Sequence, residues 1–173
     1  MAAEMKYGEY ISGGVEIFKA NLVPCIVATL CLCIPIVGMV VMVNFFAGIK
    51  GFKEGRTPID IGGLYNFENV VDKILVVIVM AIGFMLCVIP GCLIYFAPLI
   101  VADKPGTPFM DAVNQSLAFG KANLVNMIIL VLILGFLGSI GSVALGIGML
   151  ITYPISMCAA WCAYADHKGA ISA

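Results

Sequence analysis

Residues able to do acid–base or nucleophilic chemistry are few in this chain and poorly grouped. His167 is the only histidine, set in the last charged cluster Asp166-His167-Lys168. No Ser-His-Asp set, His-Glu-x-x-His zinc helix or phosphate-cradling glycine loop appears. The carboxylates at the rims of apolar segments, Asp103, Asp111 and Asp166, are the catalytic groups that remain. They make a lipid-modifying enzyme the least favoured expectation. Seven cysteines (25, 31, 33, 87, 92, 158, 162) all fall in apolar surroundings. Cys31-x-Cys33 and the one-turn pair Cys158/Cys162, among ten methionines, have the soft character that suits Cu(I). With no histidine among them and no second pair of known proximity, they read as small hydrophobes. No cofactor and no metal is expected.

The elements that must position any site are unusually apolar. Of 173 residues 62% are hydrophobic and 11% charged, with mean hydropathy +1.12; an ordinary soluble domain carries about 25% charge. Three blocks, 20–49, 74–102 and 122–165, contain no Asp, Glu, Lys or Arg. A soluble fold cannot hide three such blocks, so the chain reads as an integral membrane protein. Its start, with three Glu and two Lys before the first apolar block, is not a cleavable signal, and no nucleic-acid partner is expected at a net charge of −1.

Four landmarks recur in the same order at intervals of about fifty residues or twice that. Lys19-Ala-Asn-Leu-Val23 returns as Lys121-Ala-Asn-Leu-Val125, and Thr57-Pro58 as Thr107-Pro108. Phe18, Phe67 and Phe119 close the polar segments, and each apolar block ends in charge plus glycine. One membrane domain over 1–173, with three repeat units at about 7–55, 56–106 and 107–169, is the expectation. Each unit reads as an amphipathic helix at the membrane boundary followed by an apolar block. The expected apolar faces are Tyr7, Ile11, Val15, Phe18 and Leu22 in the first unit, and Phe109, Val113, Ser116/Leu117 and Gly120 in the third.

A 44-residue helix would be about 66 Å long, so block 122–165 must turn back. Ile34-Pro35-Ile-Val-Gly38 and Ile89-Pro90-Gly91 offer turns in the shorter blocks. If all three blocks are hairpins, the nine Lys and Arg lie on one face, as expected of a cytoplasmic side. The fold class is therefore all-α and polytopic, three amphipathic-helix-plus-hairpin units in the cytoplasmic (inner) membrane with both termini cytoplasmic. Arms such as 22–34 and 92–102 are short, so the hairpins are transmembrane or partly re-entrant.

No ionisable carboxylate or cation lies inside a block, which argues against proton relays and ion-coupled pumps. Neutral polar groups remain: Thr29, Asn44, Tyr95, Asn126, Ser139, Ser142, Thr152, Tyr153 and Ser156. Asn44, Tyr95, Thr152 and Tyr153 are the candidate path-lining residues. Matching Gly38-Met39 to Gly148-Met149 sets Asn44 opposite Pro154, where a discontinuous helix would line a path; the favoured role for Asn44 is an interhelical hydrogen bond. Gly138, Gly141, Ser142, Gly146 and Gly148, with Ala159, Ala160 and Ala163, are expected to bring helices close, within the chain or between copies.

The series Asp111-Ala112, Ser116-Leu117-x-Phe119-Gly120-Lys121-x-Asn123, Pro154, Ala159-Ala160 and Tyr164-x-Asp166, with Ile89-Pro90-Gly91, resembles a broad group of small prokaryotic membrane proteins. The group is similar to the membrane domain of some bacterial glycerophosphodiester phosphodiesterases and to YciC-like proteins. The resemblance covers about 8–168 and implies an all-helical polytopic domain without implying an activity. No attached soluble phosphodiesterase domain is expected, so that enzymatic activity is not carried over. The expected function is a non-enzymatic, self-associating scaffold or assembly subunit (a homo-oligomer whose partner is the lipid bilayer). A channel or facilitator for a small solute is the alternative.

Overall fold

The computed structural model describes residues 4–55, 57–86, 88–143 and 148–171; Gly146 lies outside them. All regular structure among the described residues is helical. In chain order the elements are α1 (Tyr7–Ala20), α2 (Leu22–Cys31), α3 (Pro35–Gly55), a 3-10 turn at Gly62–Tyr65, α4 (Val70–Leu86), α5 (Val88–Leu93), α6 (Ala97–Asp103), α7 (Phe109–Ala122), α8 (Leu124–Ser139), a 3-10 turn at Ile140–Val143, and α9 (Met149–Ile171). Two stretches, α3 and Leu124–Ser142, are long and apolar enough to cross a membrane; the bent pair α1 and α2 would make a third if it is one span.

The two Lys-Ala-Asn-Leu-Val segments adopt one conformation. Asn21 (φ −130°, ψ 42°) and Asn123 (φ −129°, ψ 34°) leave helical space. Each backbone N–H closes on the carbonyls three and four residues back. Each side-chain Nδ2 also donates to the carbonyl four back, Ile17 and Phe119, at 3.0 Å. The Asn amide thus caps carbonyls that the ending helix would leave unpaired. The chain then re-enters a helix, turned by 99° between α1 and α2. The middle segment differs: residues 57–69 form a loop with a 3-10 turn where the pattern predicts an amphipathic helix.

Prolines start helices here where the sequence reading made them turns. Pro35 is the first residue of α3, after a tip at Leu32–Ile34, and Pro90 sits in the first turn of α5. Both suit Pro, because first-turn N–H groups have no intrahelical partner. The Ile89-Pro90-Gly91 segment expected to turn is therefore helical, within α5 from Val88; Cys87 lies outside the described residues. Gly91 is needed for packing: a Cβ there would meet the Phe84 ring at 2.4 Å.

Packing follows the chain around. α1 lies along the C-terminal half of α9, the 57–69 segment lies on α3, and α7 packs on α6. The buried residues of α1 are Tyr10, Gly14, Ile17 and Phe18, rotated from the predicted stripe; Leu22 is exposed. Close approach decides this, since Gly14 lets α1 reach the α9 backbone and the larger side chains flank the contact. In α7 the buried set Ala112, Val113, Ser116, Phe119 and Gly120 overlaps the predicted face. Gly141 and Gly148 meet backbone to backbone, so these two packing glycines are used within the chain.

Candidate functional site

Three polar or open places follow from this packing. The first is the charged end, where the C-termini of α3, α6 and α9 gather. Lys50 on α3 pairs with Asp103 on α6 at 3.1 Å and also donates to the Asp103 backbone carbonyl. Tyr164 on α9 donates to Asp103 Oδ2 at 3.2 Å. Lys168 lies 4.0 Å from Glu54. Tyr10 donates to Asp166 at 2.7 Å and lies 3.1 Å from His167. Burial, and then the Asp166 carboxylate, push the Tyr10 phenol up to about 12, so it remains a donor at neutral pH. Of the rim carboxylates, Asp103 and Asp166 are thus held in structural bonds, while Asp111 is exposed at the start of α7.

The second is a polar pocket of about 240 Å³ between α3, the 57–69 loop, α4 and α6, lined in part by Asn44, Asp60, Asn66, Glu68 and Lys73. Asn44 donates to the carbonyls of Leu64 and Asn66 at 2.9 and 2.8 Å, and Lys73 donates to Asn66 O at 3.0 Å. Asn44 therefore fastens the loop to the middle of α3, a helix-to-loop bond where an interhelical one was favoured from sequence. Asn44→Leu keeps the volume but strips the buried Leu64 carbonyl of its donor and leaves the Asn66 carbonyl to Lys73 alone. It should cost about 2 kcal/mol, seen as a lower Tm with faster amide exchange at 64–66.

The third is an apolar chamber of about 360 Å³ between α3, α4, α8 and α9. Four methionines (42, 80, 149, 157), Phe46 and Phe84 line it, with Tyr95 and Tyr153 among the walls. Tyr95 sits between α5 and α6, where the returning arm of the second hairpin is broken at Ile94–Phe96. The break has a local cause. Pro98 has no N–H, and in a continuous helix its ring would strike the Ile94 carbonyl. It also has a long-range remedy: Ser116 Oγ accepts from Phe96 N–H at 3.2 Å and donates to Leu93 O at 2.9 Å. The discontinuous helix expected around Asn44 and Pro154 thus lies elsewhere. α9 runs through Pro154 and α3 runs through Asn44. Pro98 was the overlooked signal.

Of the four candidate path residues, Tyr95 and Tyr153 share the chamber and Asn44 lines the polar pocket. Thr152 Oγ1 donates to Gly138 O at 3.0 Å and lies 3.2 Å from Gly148 O. The two cavities have no lining residue in common. Gly138 lines the chamber wall, and Ser142 bonds Ser139 O at 2.6 Å in the second 3-10 turn. Cys25 and Cys158 are both buried in the core; among the described residues no three His, Cys, Asp or Glu side chains are placed to hold a metal. No family model, curated protein or solved structure matches this chain.

Proposed function

We propose that the chain is a non-enzymatic scaffold of the cytoplasmic membrane, inserted as three hairpins from the cytoplasmic face with both termini on that side. One observation carries this reading: the ends opposite the charged face are apolar and uncovered. Met85 and Leu86 are 87% and 77% exposed, and Ile34 and Ile36 are more than half exposed. No Asp, Glu, Lys or Arg lies near these tips in the sequence. A tip emerging into water on the far side would not be built this way.

Depth refines the topology. From Lys73 to Leu86 the arm of α4 rises about 20 Å, against about 30 Å of hydrocarbon. Beside the middle of α3 lies the 57–69 loop, whose Asp60 and Glu68 are exposed; charge there belongs at the headgroups, leaving about 14 Å of α3 beyond Asn44. The first two hairpins are accordingly re-entrant and end within the hydrocarbon, while Leu124–Ser142 is long enough to reach across. Support for a threefold repeat is the order of packing, in which each unit's leading segment rests on the last helix of the unit before it and α1 on α9 closes the ring.

Self-association uses the exposed stripe Val125, Ile129, Leu132 and Phe136 on α8, since Gly141 and Gly148 are already engaged. The facilitator reading keeps one favourable observation, the shared chamber of Tyr95 and Tyr153. Topology is tested with a variant retaining Cys33 as its sole cysteine, labelled by a membrane-impermeant maleimide. The expected result is no labelling from either side of sealed vesicles and full labelling in detergent. Lys53→Cys on the same background should label from the cytoplasmic side. Labelling of Cys33 from the far side would show that the hairpin crosses completely.

A further inference from the structure

We infer that the chamber between α3, α4, α8 and α9 is a binding site for a compact lipophilic molecule carrying a single oxygen, which Tyr95 and Tyr153 hold. Its size, about 360 Å³, falls in the range of small-molecule sites, about 300–1,000 Å³. Thioethers and phenyl rings suit an apolar occupant of variable shape, because Met adapts to what it touches. The polar requirement comes from the two phenols. Both line the same chamber. Both are half-buried on the chamber, and among the described residues neither hydroxyl is paired with another protein group, whereas Tyr hydroxyls set in apolar surroundings usually find a partner. An occupant with one oxygen supplies it.

Two further features place the site. Tyr95 projects from a helix break at which Ser116 pairs the Phe96 N–H and the Leu93 carbonyl, which helps the irregular backbone to be tolerated at the chamber wall. The exposed lining residues Gly135, Ser139 and Met149 belong to the third hairpin, in the half of the protein that ends in apolar tips. Entry is therefore from hydrocarbon. This entry route rests on the membrane placement proposed above; the site itself rests only on packing.

The sole tryptophan makes the test direct. Trp161 stacks on Phe46, a chamber wall, with ring centroids 6.4 Å apart. The probes are a bromine-tipped dodecanol and the matching bromododecane, added to full-length protein in detergent micelles and in sealed vesicles. The alcohol should quench Trp161 saturably, and unbrominated dodecanol should restore the signal by competition. Gly135→Leu should abolish the saturable phase: a Cβ at Gly135 meets nothing within 4 Å, so the side chain can occupy the chamber without disturbing the fold. Tyr95→Phe with Tyr153→Phe should weaken the alcohol about tenfold and leave the alkane unchanged. Linear, non-competable quenching in micelles, or equal affinity for alcohol and alkane in the wild type, overturns the proposal. Saturable binding in micelles with none in vesicles would keep the site and remove the membrane entry route.

Discussion

Gly14→Ala should destabilise the protein by about 2–3 kcal/mol, whereas Gly8→Ala on the same helix should be neutral or stabilising by up to about 1 kcal/mol. Both substitutions improve intrinsic helix propensity, so their difference isolates packing. A Cβ on Gly14 would lie 2.8 Å from the Ala159 amide nitrogen and the Ile155 carbonyl oxygen; one on Gly8 meets nothing within 4 Å. The obstacle is backbone, which no rotamer change relieves, so α1 must move off α9. That would part Tyr10 from Asp166 and bare Ile17 and Phe18. Thermal unfolding in detergent, followed by Trp161 fluorescence, reads the effect from α9 itself. Equal Tm values for the two variants would show that α1 does not rest on α9 as described.

Asp103→Ala should cost about 3 kcal/mol. The carboxylate is 7% exposed and takes both the Lys50 ammonium and the Tyr164 hydroxyl. Its removal leaves a half-buried cation and a buried phenol without their acceptor, and the penalty is the desolvation of those groups more than the worth of the pair. The figure sits at the low end for broken buried pairs because Lys50 keeps 30% side-chain exposure and its bond to the Asp103 main chain. Lys50→Met with Asp103→Leu removes the charges together and should regain most of the loss. Unfolding midpoints of the single and double variants test this; a double variant as weak as Asp103→Ala would mean that the pair itself, not the orphaned charge, supplies the stability.

Much of the helical content was legible in the residue pattern, because an uncharged run of about thirty residues admits few alternatives. The recurrence of Lys-Ala-Asn-Leu-Val was legible, but its role was not read: in each copy the Asn amide serves the carbonyl four residues back. Turns were misread because Pro acts at helix starts as readily as in turns, and Pro35 and Pro90 took the former role. The apolar face of α1 was misplaced because periodicity counts large side chains, while the contact with α9 is made through Gly14. Of the candidate path, Tyr95 and Tyr153 converge and Asn44 and Thr152 do not. Their spacing in sequence says nothing about which helices adjoin.

The sequence alone determined the sparse acid–base and nucleophilic residues and the three long blocks without charge, which are compatible with a membrane protein. Tertiary structure decided what those residues do. Asp103 and Asp166 became structural acceptors, Asn44 a fastener, and Tyr95 the wall of a chamber at a break repaired by Ser116. The physical reason is that in hydrocarbon a protein-facing and a lipid-facing surface can have the same composition, so apolar periodicity carries no record of the neighbour. Only backbone contact distances and the pairing of distant donors and acceptors do.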